Sequence, residues 1–208
     1  MRSGYFIVFE GGEGAGKTTQ IRLLRHFLEA KKVKTVVTRE PGGSTLGRRV
    51  RSILLAKRRR DLCPRAEVLL YEADRAQHVE EVVRPALKAG AVVLSDRFED
   101  SSTVYQGHCR GLGVGWVQKL NKIATGGLRP DLVVVLDIPS ELRHKRLVTR
   151  PVLDRMESAG DPFHARVQAG FLRLAKAEKR RFVVIDATRS VSKVAREVRT
   201  VVSKRLGL

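Results

Sequence analysis

The sequence predicts an α/β fold, a five-stranded parallel sheet with helices on both faces. Short apolar runs alternate with segments whose apolar residues recur at helical spacing. Alternation of strand and helix calls for crossover connections, and these give a parallel sheet covered on both sides. A glycine-rich loop also sits where a first strand would hand over to a first helix.

The strands are expected at 5–9, 33–38, 91–95, 132–137 and 182–186. Four of these are continuous apolar runs and the second is nearly so, which suits strands buried on both faces. Between the first two strands, 18–31 carries Ile21, Leu24 and Leu28 on one stripe. Before the last strand, Asp161 reads as an N-cap and Pro162 as the first helical residue, with Phe163, Val167, Phe171 and Leu174 as the apolar stripe. The segment 191–206 is amphipathic, with Val194, Val198, Val201 and Val202 on one side.

The chain has 208 residues, which suits one domain over 1–208 with a sizeable core. Hydrophobic residues are 42% and charged residues 30%, so the chain is not globally disordered. Eighteen consecutive apolar residues occur nowhere, so no membrane-spanning helix is expected. Cys63 and Cys109 exclude a disulfide framework and a cysteine-rich zinc site, and they suit a reducing compartment. An apolar strand begins within a few residues of Met1, leaving no room for a signal peptide and predicting a cytoplasmic protein. The five histidines show no ligand spacing, so no zinc is expected.

The net charge of +19 points to an anionic partner: nucleic acid, a membrane surface or phosphorylated small molecules. Residues 139–208 carry 17 basic and 7 acidic groups and so hold half of that excess. The run Lys57-Arg58-Arg59-Arg60 reads as a solvated turn.

Chemistry enters with Gly11-Gly12-Glu13-Gly14-Ala15-Gly16-Lys17-Thr18, which fits G-x-x-x-x-G-K-[ST] between a strand and a helix. This is a P-loop NTPase arrangement. Glycines let successive backbone N–H groups face an anion, and the helix N-terminus adds its dipole. Residues 11–18, with Thr19, are the expected ATP-binding segment. Lys17 should reach the β- and γ-phosphates, and the Thr18 hydroxyl should ligate Mg²⁺. A GTPase reading is poor, because Asn121-Lys122-Ile123-Ala124 lacks the Asp of N-K-x-D and follows no strand.

Further motifs follow the other strands: Thr38-Arg39-Glu40-Pro41-Gly42-Gly43, Ala73-Asp74-Arg75-Ala76-Gln77, and Asp96-Arg97-Phe98-Glu99-Asp100-Ser101-Ser102 with Tyr105-Gln106-Gly107. Arg129-Pro130-Asp131 and Leu153-Asp154-Arg155 complete the set. In order and spacing the chain resembles the bacterial-type thymidylate kinases from the first strand to the last helix. That resemblance implies transfer of the ATP γ-phosphoryl group to dTMP with Mg²⁺, and a homodimer.

The resemblance also implies roles. Glu13 would accept from the deoxyribose 3′-hydroxyl. Arg97, with Arg51 beside it, would bind the dTMP phosphate through guanidinium forks. Asp96 would hold Mg²⁺ through water and orient Arg97. Tyr71 would stack on thymine, where many members have Phe. Arg75 would donate to a thymine oxygen, Ser102 and Gln106 would reach the base, and Tyr105 would crowd the 2′ position. Glu40 would contact sugar or a Mg²⁺-bound water. The segment Asp186-Ala187-Thr188-Arg189 would hold adenine, largely by backbone. No Arg occupies the phosphate loop, so the catalytic cations are expected on a mobile lid over about 143–158, as Arg146 and Arg150. Val148 stands where lids often carry another Arg, and Pro151 is unusual there. Arg155 would pair with Asp154 or contact phosphate.

Two rivals stay open. One is a P-loop kinase for another nucleotide acceptor. The other is a degenerate basic P-loop protein that binds nucleic acid, although survival of the acceptor-site groups makes nucleic acid an unlikely partner.

Overall fold

The computed structural model describes residues 4–56, 62–148 and 160–208. The basic run at 57–60 and the part of the expected lid that holds Arg150, Pro151, Asp154 and Arg155 lie outside them.

The elements follow in chain order. The first are β1 (Tyr5–Glu10), α1 (Lys17–Ala30), β2 (Thr35–Arg39), α2 (Thr45–Leu55) and α3 (Pro64–His78). A π-helical turn, Val79–Val83, joins α3 to α4 (Arg84–Lys88). Then come β3 (Val92–Asp96), α5 (Glu99–Ser102) and a second π-helical segment, Thr103–Cys109. The chain continues through α6 (Val114–Thr125), β4 (Leu132–Asp137), α7 (Ser140–Val148), α8 (Asp161–Ala177), β5 (Phe182–Asp186) and α9 (Val191–Leu206).

The five strands form one parallel sheet in the order β2-β3-β1-β4-β5. Strand alternation divides the core between its faces. Phe6 and Val8 of β1 point to one side, where they join Val93, Val133, Phe98, Val167 and Phe171. Ile7 and Phe9 point to the other, where Leu24 and Leu28 of α1 and Val194, Val198 and Val202 of α9 cover them. The expected apolar stripes of α1 and α9 are therefore the stripes that are buried.

Two expectations need correction. β2 and β5 are not buried on both faces: they are the sheet's edges, and Val37 and Val184 are exposed. Asp161 is not the N-cap of α8. Gly160 takes that place at φ 78°, Asp161 and Pro162 are the first two helical residues, and the Asp161 carboxylate accepts from Arg143 at 2.7 Å.

The register places the chemistry. Phe9 of β1 and Arg39 of β2 both pair with Asp96 of β3. The ladder runs on past the strands, with Arg97 N–H donating to Phe9 O (3.0 Å) and Glu40 N–H to Asp96 O (2.9 Å). Glu10, Glu40 and Arg97 therefore leave the sheet at one level. They do so beside β1, where the strand order reverses and parallel sheets open a crevice.

Candidate functional site

The phosphate loop is shaped by glycines at two demanding points. A Cβ on Gly11 would lie 2.5 Å from Leu136 O at φ +127°, so the loop closes onto β4 only with glycine there. Gly16 caps α1 at φ 92°. Lys17 is buried and lies back along the loop, donating to Gly12 O (3.0 Å) and Gly11 O (3.3 Å). Burial and the neighbouring Arg97 lower its pKa, against the pull of Glu13, Asp96 and Glu10.

The loop forms the floor of a cleft of about 940 Å³, at the upper end of small-molecule sites. Residues Glu13 to Gln20 line its centre, and Ala187, Arg189, Val191 and Val194 line one end. At the other end stand Glu40, Arg51, Tyr71, Ser101, Ser102, Tyr105 and Gln106. Asp96, Arg97 and Arg146 also reach it. Of the residues singled out in the sequence and described, most thus meet in one crevice.

Thr18 Oγ1 donates to Asp96 Oδ2 at 2.9 Å, joining the first turn of α1 to the end of β3. A hydroxyl and a carboxylate side by side in the cleft are hard oxygen ligands of the kind Mg²⁺ takes with few protein ligands. Among the described residues no group of three or more His, Cys, Asp and Glu is placed to hold a metal.

Arg97 is the hub of the second half. Its Nη1 donates to Ser101 Oγ (3.0 Å) and Gly11 O (3.3 Å), and its Nη2 to Glu13 Oε1 (2.5 Å) and Tyr105 OH (3.2 Å). The guanidinium lies 5.1 Å from the centroid of the Tyr105 ring. Burial would raise the Glu13 pKa, but Arg97 and then Lys17 outweigh it, so the carboxyl falls to about 2 and is ionised at neutral pH. Burial pushes the Tyr105 hydroxyl well up, so it stays neutral.

Arg75 departs from expectation. It is one of the largest fully buried side chains and does not line the cleft. Its Nε donates to Glu40 (2.8 Å), Nη1 to Glu72 (2.6 Å) and Asn121 (2.8 Å), and Nη2 to Ser102 (3.1 Å) and Phe98 O (3.2 Å). A guanidinium has five N–H donors, and all are committed inside the protein. What it presents to the cleft is Glu40 and Ser102, held in place. On its other oxygen Glu40 meets His78 Nδ1 at 2.8 Å, and His78 Nε2 meets the Thr38 hydroxyl at 2.6 Å.

The remaining residues are fixed more simply. Arg51 reaches across from α2 to donate to Pro41 O (2.9 Å). Gln106 donates to the buried Glu67 (2.8 Å), and the π-helical segment turns both it and Tyr105 inward. Arg146 bridges Gly14 O (3.2 Å) in the phosphate loop and Ala187 O (2.9 Å) after β5, so it spans the seam between the loop and the far end of the cleft. Arg129-Pro130-Asp131 is structural: Asp131 accepts from Phe6 N–H (2.7 Å), and Arg129 pairs with Glu178 (2.9 Å) and Glu99 (3.4 Å).

Sequence reading missed Glu10. It is fully buried against the turn that carries Arg97 and accepts from Phe98 N–H and Ser101 N–H. Its only signal was an acidic residue ending an apolar strand directly before a phosphate loop.

The family model described as thymidylate kinase matches residues 9–198. A protein named thymidylate kinase from Clavibacter michiganensis subsp. michiganensis is 52% identical over 199 residues, 95% of this chain and 94% of that one. The like-named protein of Leifsonia xyli subsp. xyli is 51% identical, covering 95% and 94%. That of Desulfovibrio desulfuricans is 47% identical, covering 97% and 96%.

Proposed function

The chain belongs to the thymidylate kinase family and transfers the ATP γ-phosphoryl group to dTMP, giving dTDP and ADP; from that premise we propose how its residues divide the work. What supports the reading is one cleft lined in one half by the phosphate loop with Lys17 and in the other by Arg97, joined by the Thr18–Asp96 contact.

Lys17 and residues 11–19 hold the ATP phosphates. Arg97, with Arg51 nearby, takes the dTMP phosphate, and the ionised Glu13 accepts from the 3′-hydroxyl. Tyr71 stacks on the base, and Ser102 and Gln106 line its edge. Arg75 acts from behind, by fixing Glu40 and Ser102. The neutral Tyr105 packs beside Arg97 and fills the place a 2′-hydroxyl would need. Ala187, Arg189 and Val191 receive adenine, with Arg146 at the seam. Arg150 supplies charge over the transferring group.

Catalysis of this kind is positioning plus electrostatics: two polyanions must meet in line, and the cations offset their repulsion. Thr18 and Asp96 fit Mg²⁺, which when bound would neutralise charge on the β- and γ-phosphate oxygens.

The same reading covers the surroundings. The chain acts as one domain, in the cytoplasm, where its two free thiols are stable. It pairs as a homodimer, for which Leu69 of α3 and Trp116 and Ile123 of α6 offer exposed apolar area on helices that pack together.

The test is ADP release with dTMP, dUMP, dCMP and dGMP, for wild type and Arg97→Ala. Strong preference for dTMP is expected, with kcat/KM for dTMP falling about 10²–10³-fold in the variant. Equal rates on all four acceptors would discard the base site, and an unaffected variant would discard the role of Arg97.

A further inference from the structure

Glu10 closes β1 one residue before the phosphate loop and is fully buried. Its Oε1 accepts from Phe98 N–H (3.0 Å) and Ser101 N–H (3.2 Å), and its Oε2 accepts from the Ser101 hydroxyl (2.6 Å). Its Oε2 also lies 3.7 Å from Arg97 Nη1. All of these partners belong to the turn that leaves β3 and carries Arg97.

That turn is strained. Arg97 sits at φ 75°, a left-handed conformation that is costly for a non-glycine residue. A residue stays there only where its surroundings over-determine it. Ser95 Oγ donates to Arg97 O (2.7 Å) and Arg97 N–H donates to Phe9 O (3.0 Å), which fixes the residue itself. The chain just beyond it is held by the Glu10 carboxylate at Phe98 N–H and Ser101 N–H, by Arg75 at Phe98 O (3.2 Å) and by Arg181 at Asp100 (2.6 Å). The Ser101 hydroxyl completes a relay, donating to Glu10 while accepting from Arg97 Nη1 at 3.0 Å.

We propose that Glu10 is a positioning residue of the acceptor site: its carboxylate holds the strained turn so that Arg97 faces the cleft and meets the acceptor phosphate. The inference rests on the reading of Arg97 given above.

Charge alone argues the opposite effect, which makes the proposal testable. A negative group 3.7 Å from Arg97 should oppose a phosphate dianion. If Glu10 acted only through its charge, removing that charge would tighten dTMP binding. If it acts by position, removal loosens it, because an amide at Oε2 would donate to the Ser101 hydroxyl, which then loses the carboxylate it donates to and no longer fixes Arg97 Nη1.

Burial raises the Glu10 pKa to about 7, against Arg97, the Ser101 hydroxyl and the Phe98 N–H, and with Asp100 in support. Lys17 and Tyr105 are the other titratable groups facing it. Protonation near neutral pH therefore mimics the amide.

The experiment compares wild type, Glu10→Gln and Arg97→Ala for dTMP and ATP kinetics, thermal unfolding, and the pH profile of kcat/KM for dTMP. Glu10→Gln is expected to raise KM for dTMP about tenfold, leave KM for ATP within twofold, and not lower the melting temperature. The wild-type profile should show an acid limb near pH 7 beyond that of the phosphate itself, whose second ionisation lies near 6. That added limb should vanish in Glu10→Gln. Unchanged or tighter dTMP binding by Glu10→Gln, where Arg97→Ala weakens it, overturns the proposal and leaves the reading of Arg97 standing. Parallel loss for both substrates with a lower melting temperature makes Glu10 merely structural and also overturns it. Unchanged dTMP binding by Arg97→Ala overturns the underlying reading, and the proposal with it.

Discussion

Replacing Arg75 by alanine would leave Glu40 and Glu72 buried without their shared cation, and Asn121 and Ser102 without a donor. Removing one partner of a buried ion pair costs about 3–5 kcal/mol. In a chain of 208 residues each kcal/mol moves the melting point by roughly 2–4 °C. Arg75→Ala should therefore melt about 10 °C lower by calorimetry, and KM for dTMP should rise more than KM for ATP. The same scale governs pH. Burial raises Glu10 and Glu99 to about 7 and Asp74 to about 6, whereas Arg97 and Lys17 together override burial to lower Glu13 to about 2. A carboxyl raised in the folded state favours folding below its unfolded value near 4.5, and that stabilisation is lost as pH rises through about 7. The stabilisation from Glu13 is present above that value and lost as pH falls through about 2. The melting temperature should thus decline from pH 5 to 8, and the difference between Glu10→Gln and wild type should move in favour of the variant over that range. Residue identity made much of the site legible in the sequence. Most residues that line the cleft could be named, because phosphate chemistry restricts which side chains serve. The partners of Arg75 could not, because they come from positions 40, 72, 98, 102 and 121, brought together only by folding.

Between α2 and α3 the packing depends on a glycine. A Cβ on Gly47 would lie 2.1 Å from Asp74 Oδ1 and 2.9 Å from Ser44 Oγ, the cap of α2. Exchange of helical glycine for alanine ordinarily gains about 1 kcal/mol. Here the contact is with a buried carboxylate that also accepts from Gly42 N–H at 3.0 Å, so the clash decides the sign. Gly47→Ala should destabilise by about 1–3 kcal/mol. Gly115→Ala in α6, where a Cβ meets nothing within 4 Å, should stabilise by up to about 1 kcal/mol. Opposite shifts in melting temperature check the argument, and two shifts of one sign would refute it. α3 also explains what apolar periodicity leaves hidden. Its buried residues are Glu67, Val68, Glu72, Asp74, Arg75 and His78, so its inward face is mostly polar, with Glu72 Oε2 and Asp74 Oδ2 buried without a hydrogen-bond partner among the described residues. The two π-helical segments break the regular repeat as well. α1 and α9, whose buried faces are apolar, were legible almost to the residue.

At the scale of the molecule, strand count and parallel pairing follow from the alternation of elements, but the order β2-β3-β1-β4-β5 is a property of the crossovers and leaves no mark in composition. Charge is the other whole-molecule quantity. A net +19 sets a field that draws two polyanionic substrates, and such steering weakens as salt shortens the Debye length, about 10 Å at 0.1 M. Placement decides which charges matter. Val191 and Val194 at the start of α9 line the cleft, with the exposed Lys193 and Arg196 beside them. Lys204 and Arg205 lie at the other end of α9, roughly 15 Å further along at 1.5 Å per residue. Raising ionic strength from about 0.05 to 0.5 M should lower kcat/KM for ATP about tenfold and leave kcat at saturation nearly unchanged. Reversing Lys193 and Arg196 to Glu should lower kcat/KM for ATP at low salt and flatten its salt dependence. Reversing Lys204 and Arg205 should do little, because a full Debye length separates them from the cleft. An equal effect from both pairs would mean that the total charge steers the substrates, and that its placement on α9 does not.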